Sequence, residues 1–157
     1  MRVDFYQVSR DPAEAVVALL ALNTVKAGER LLVVGADQAR LDRVSEALWS
    51  AQGRRQEQPF LANGRTGGPH DARQPVLLSD RVDPANGARF VALADGVWRD
   101  EVLDFGPGDS GAFERVFLVF DDATVAAARE CWRKLGQHEG LERKFWKQED
   151  GGWVQAA

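Results

Sequence analysis

Four consecutive apolar residues, Leu31 to Val34, stand between charged Glu29-Arg30 and the turn at Gly35-Ala36. The run is too short for a helix and shows no alternation, which is the pattern of a strand buried on both faces. Such burial occurs in parallel sheets, whose crossover helices cover both sides. The neighbouring stretches fit. Val3 to Val8 (V-D-F-Y-Q-V) is rich in strand formers, and Asp11-Pro12-Ala13-Glu14 then reads as a cap, a first-turn proline and a capping-box acid. The helix this opens directs Val16, Leu19, Leu20 and Val25 inward and stops at Gly28. Strand, helix and strand together make a βαβ unit.

Asp37 caps a second helix in which Leu41, Val44, Leu48 and Trp49 recur at helical spacing, with Gly53-Arg54 as its end. From there to Arg73 the chain is rich in Gln, Gly and Arg around Phe60 and Leu61, which predicts a long loop with one apolar anchor. Pro75 to Leu78 and Arg89 to Leu93 predict two further strands, separated by the turn Asp83-Pro84-Ala85-Asn86-Gly87. Trp98, Val102, Leu103 and Phe105 are apolar, but Gly106-Pro107-Gly108 breaks any long element there. Phe113 to Phe120 is a strand or a helical turn running into one, and Ala123 to Leu135 a helix, with Asp121 and Asp122 at its start and Gly136 as a left-handed stop. No repeat or second domain is visible. The expectation is one domain over residues 1–157, a three-layer α/β/α sandwich with a mostly parallel sheet.

Composition narrows the function classes. Twenty basic against 24 acidic residues leave a net charge of −4, which disfavours a broad nucleic-acid surface and little direct nucleic-acid binding is expected. No apolar run reaches bilayer length and Met1 leads into charged Arg2 and Asp4, so a cytoplasmic protein without membrane contact is expected. The single cysteine, Cys131, falls on the apolar arc of the last helix, where packing is its role.

Several familiar constellations fail. The turn after Leu31–Val34 is Gly-Ala-Asp, with one glycine and an acid where phosphate would sit. Gly64-Arg65-Thr66-Gly67-Gly68 resembles a phosphate cradle but neither follows a clear strand nor opens a clear helix. His70-Asp71 and His138-Glu139 lack the spaced ligand set of a zinc site, and Cys131 and His138 are separated by a helix end. No metal, cofactor or catalytic residue is therefore expected. A nucleotide-binding enzyme on the same fold is the alternative reading.

The last helix is more informative. At about 100° per residue, Val125, Ala128, Cys131, Trp132 and Leu135 share one arc, and Arg129 and Arg133 run along its border beside Trp132. The continuation Glu142 to Gln148 (E-R-K-F-W-K-Q) adds Arg143, Lys144 and Lys147 around Phe145 and Trp146. Basic and aromatic groups thus mix at the end of an acidic chain, a pattern suited to a small anionic partner.

Strings along the whole chain resemble the chi subunit of bacterial DNA polymerase III: Phe5-Tyr6; G-E-R-L-L-V-V at Gly28 to Val34; E-A-L-W at Glu46 to Trp49 followed by Pro59-Phe60-Leu61; Q-P-V-L-L-S-D at Gln74 to Asp80; F-E-R-V at Phe113 to Val116; then A-R-E-C-W-R-K, F-W-K-Q and G-W-V. The resemblance implies a Rossmann-like fold and a noncatalytic clamp-loader accessory protein. It further implies binding to the acidic C-terminal tail of single-stranded DNA-binding protein, with the psi subunit and a helicase as further partners. By position, Arg129 matches the family's carboxylate-binding arginine, Trp132 the aromatic beside it and Arg133 a basic rim residue, while Trp49 and Phe60 match aromatics completing the pocket. The chain departs from the family at Leu61-Ala62-Asn63-Gly64, where Pro-His is common, and at Val125, where a basic residue is usual.

Overall fold

A computed structural model describes residues 1–50, 61–104, 113–150 and 152–157. Its centre is an eight-stranded sheet ordered β3-β4-β2-β5-β6-β1-β7-β8. The strands are β1 (Arg2–Gln7), β2 (Leu31–Val34), β3 (Asn63–Arg65), β4 (Val76–Ser79), β5 (Phe90–Leu93), β6 (Arg115–Phe120), β7 (Glu142–Glu149) and β8 (Gly152–Gln155). Every neighbouring pair is parallel except β7 with β8, which form an antiparallel hairpin. Helices α1 (Ala13–Lys26) and α2 (Gln38–Trp49) cover one face, and α3 (Val125–Leu135) covers the other. This is the expected three-layer sandwich with a mostly parallel sheet.

The period-two rule sorts the core. Leu31 and Val33 of β2 pack with α1 and α2, whereas Leu32 and Val34 pack on the side of α3. All four are fully buried, as the unbroken apolar run requires. The turn Asp83–Gly87 is tied to the sheet by Asn86, which is only 1% exposed. Its side-chain amide donates to the carbonyls of Leu31 and Gln74, and its oxygen accepts from Ala88. Gly87 closes that turn with φ of 72°, a conformation costly for any residue with a Cβ.

Several local expectations give way to packing. Pro12, not Asp11, is the N-cap of α1, because the Asp11 carboxylate is taken by the Gln148 amide at 2.6 Å. Glu14 closes no capping box; it accepts from Arg43 of α2 at 2.8 Å and ties the two helices together. Leu19 is 44% exposed, since α1 is apolar on nearly every side and cannot bury them all. The stretch expected to be a loop up to Arg73 contains β3, an edge strand that Ser45 of α2 reaches through Asn63, and a 3-10 turn at Asp71–Arg73. Helix α3 begins at Val125 after a turn in which Asp121 accepts from the Ala123 amide. Gly136 has φ of −63° and is right-handed; the left-handed glycine is Gly140, at 76°. The expected stop at Gly53 and the breaker Gly106-Pro107-Gly108 lie outside the described residues.

Candidate functional site

Among the described residues α3 is the one α-helix on its face of the sheet, beside the short 3-10 helix Asp100–Leu103, whereas two α-helices lie on the other face. Helix α3 packs on β6, and β7 stands two strands further out, across β1. A groove of about 370 Å³ is left between α3 and β7. Ala128, Cys131 and Leu135 anchor α3 to the core, which turns Arg129, Trp132 and Arg133 toward this groove. Phe145 and Lys147 enter it from β7, two residues apart and so on one face of the strand. Gln7 and the backbone of Ala156-Ala157 border it, the latter bonded to Phe145.

The floor is aromatic and ordered. Trp132 meets Phe5 edge-on at 5.2 Å between ring centroids and Phe145 at 5.8 Å. Phe5 and Phe145 stack at 6.2 Å, and Phe120 closes the cluster at 5.6 Å from Phe145. Such contacts add about 0.5–1.5 kcal/mol per pair beyond area burial and fix the ring planes. The Arg143 guanidinium lies over the Trp132 ring, 4.3 Å from the indole centroid.

The rim is cationic and unspent. The side chains of Arg129, Arg133 and Lys147 make no ion pair or hydrogen bond with any described residue. Two larger hollows differ in this respect. In the one of about 480 Å³, Arg65 is paired with Asp42 and Arg81 with Asp80. The one of about 430 Å³, on the opposite flank of α3, carries the carboxylates Asp100 and Glu130 beside Lys134. Available positive charge beside an apolar floor therefore singles out the groove at Arg129.

Arg129, Trp132 and Arg133 come together as the sequence implied. Trp49 does not join them: it ends α2 and is 46% exposed, on the opposite face of the sheet and over β3 and β4. Strand β4 is three strand spacings from β6, roughly 14 Å, so the two indoles belong to different surfaces. Phe60 lies outside the described residues. From sequence Phe145 and Lys147 enter only as part of a mixed basic and aromatic stretch, and Phe5 only through the family resemblance; the period of two that puts Phe145 and Lys147 on one face becomes legible once E-R-K-F-W-K-Q is a strand. Arg143 and Lys144, the cations that a direct nucleic-acid reading needs, are engaged by Trp132 and by Glu142 at 3.7 Å.

The two anion cradles considered for a nucleotide are filled by the chain's own acids. Asp95 accepts from the Ala36 amide at 3.1 Å, just before α2, and holds Arg99 in a two-armed pair at 2.8 and 2.9 Å. Burial pushes the Asp95 carboxyl up, but the Arg99 hydrogen bonds, the Ala36 amide, the Arg99 charge and the Val97 amide outweigh it and leave it below the usual range. Asp71 likewise accepts from Gly67 and Gly68 at 2.8 and 3.1 Å. Among the described residues no group of three or more His, Cys, Asp or Glu side chains is placed to hold a metal.

The family model for DNA polymerase III chi subunit, HolC, matches residues 1–143. The chain belongs to this family. No curated protein matches it. As a member of the chi family it is an accessory subunit of the replicative DNA polymerase III, and none of its described helices is long and apolar enough to cross a membrane. The match ends inside β7, so Arg129, Trp132 and Arg133 lie within the family pattern of chi, whereas Phe145, Lys147 and the β8 return lie beyond it.

Proposed function

We propose that this chi-family protein uses the groove between α3 and β7 to hold the acidic C-terminal tail of single-stranded DNA-binding protein, and so couples coated DNA to the clamp loader. It does so as a noncatalytic subunit, with a psi-type partner and a helicase as further contacts. The observation that carries this reading is the set of three cations, Arg129, Arg133 and Lys147, whose side chains pair with no described residue, around the Trp132–Phe145 floor. A peptide end offers an apolar side chain, a terminal carboxylate and preceding acids. The floor suits the side chain, a guanidinium suits the carboxylate as a two-armed donor, and the rim suits the acids.

Magnitudes fit a modest affinity. Burying an aromatic side chain of about 150 Å² at about 25 cal/mol/Å² is worth roughly 4 kcal/mol. Charged contacts add to this and association entropy subtracts, so a micromolar Kd, near −8 kcal/mol, is the expected scale. Exposed cations make the binding weaken with salt.

The test is calorimetric titration of a synthetic acidic tail peptide, with and without its last residue. Arg129→Ala lowers the affinity by about 2 kcal/mol or more while the unfolding curve is unchanged. A titration identical to that of the unaltered protein rules the reading out.

A further inference from the structure

Among the described residues, Arg143 is the one cation near Trp132 that is already engaged. It sits in β7 opposite Val3 of β1, and its side chain reaches back to the last turn of α3. The guanidinium lies over the Trp132 ring and donates from Nη1 to the Trp132 carbonyl, which also accepts from the Gly136 amide. One group thus grips both the backbone and the ring of the same residue. Gly136 makes room for it: a Cβ there would stand 2.9 Å from the guanidinium carbon and both terminal nitrogens. With φ of −63°, Gly136 has no conformational need to be glycine, so its requirement is space alone.

We propose that Arg143 is a positioning residue for the groove. It fixes the Trp132 indole as a wall against Phe5 and Phe145 and takes no part in charge recognition, which is left to Arg129, Arg133 and Lys147. Without it the indole keeps Phe5 and Phe145 as ring partners but loses its cation and explores other rotamers, so a ligand must order it on binding. The inference rests on the peptide reading for its binding arm and on the free protein for its structural arm.

Gly136→Ala separates positioning from folding. Alanine favours the helix end over glycine, and the group it displaces is the far end of a flexible side chain, so the melting temperature holds or rises. The experiment compares the full chain with Arg143→Met, Arg143→Lys and Gly136→Ala, by titration of the acidic tail peptide and by the Trp132 indole N–H resonance without peptide. Arg143→Met and Gly136→Ala each shift and broaden that resonance and weaken the peptide roughly five- to ten-fold, the scale of a lost partly desolvated cation–π contact. Arg143→Lys, which keeps charge but lacks the planar fork, falls between. Normal peptide binding that neither Arg143→Met nor Gly136→Ala alters, or an unmoved indole resonance in both, overturns this inference alone. Absence of peptide binding to the unaltered protein overturns it together with the tail reading.

Discussion

Replacing Asp4 by alanine tests how β7, and with it half of the groove, is held to the sheet. Asp4 is fully buried in the middle of β1. Its Oδ1 accepts from Arg2 Nη2 at 2.7 Å, Arg2 Nε at 3.1 Å and Trp146 Nε1 at 2.9 Å, and its Oδ2 accepts from Arg115 Nε at 2.7 Å. One carboxylate thus links β1, β6 and β7. Removing one partner of a buried ion pair costs about 3–5 kcal/mol, because the other charge is stranded. Here both arginine side chains are 29% exposed and regain water, so the low end applies, about 3 kcal/mol. For a chain of this length that is a fall of roughly 6–12 °C in Tm. Urea unfolding followed by circular dichroism measures it, with the slope on denaturant unchanged. Asp4→Asn, which keeps one acceptor, loses less. A loss below about 1 kcal/mol for Asp4→Ala refutes the argument, since the network would then be no better than its hydrated parts.

Other outcomes follow from single groups. The depressed Asp95 carboxyl adds stability that is fully present above its unfolded pKa, about 3.9, and is lost as pH falls through the lower folded value; urea midpoints between pH 6 and 3 fall less steeply in Asp95→Asn, and equal slopes count against the Asp95–Arg99 pair. Burial, reinforced by the charge of Asp100 and opposed by Lys134, pushes the Cys131 thiol up to about 12. At pH 8 it therefore reacts with a disulfide reagent on the order of a thousand-fold slower than in the urea-unfolded chain, and a rate within about ten-fold of the unfolded one disproves this. Asn86→Ala strands the Leu31 and Gln74 carbonyls and costs about 2–3 kcal/mol in urea unfolding; a cost under about 0.5 kcal/mol means that water replaces the amide there.

Strands β1, β2, β4, β5 and β6 were readable because their signals are local: apolar runs of strand length, turn residues between them and helical spacing after Asp37; the edge strand β3, only Asn-Gly-Arg, carries no such signal. Strand β7 was not readable in this way. E-R-K-F-W-K-Q has no alternation of apolar and polar residues, and it becomes a strand because β1 supplies a parallel partner from Arg2 to Gln7. The same holds for the caps. Asp11 has the chemistry of an N-cap, but Gln148, 137 residues away, competes for its carboxylate and wins.

The groove shows the same division. Helical spacing alone puts Arg129, Trp132 and Arg133 on neighbouring positions of one helix, and that much needs no tertiary knowledge. Which aromatic groups complete the floor depends on which strand lies beside α3. Phe5 and Phe145 fill that place, while Trp49 stands across the sheet.

Residue chemistry along the chain dictates the layered α/β plan and the mixture of arginine and tryptophan on α3, because periodicity and turn preference act over a few residues. Assembly of the sheet assigns the rest: which cations keep their charge for a ligand, which are consumed internally, and which acids occupy the amide cradles. Those outcomes turn on distances between groups that sequence order leaves far apart, and only a packed sheet brings them within a few ångströms.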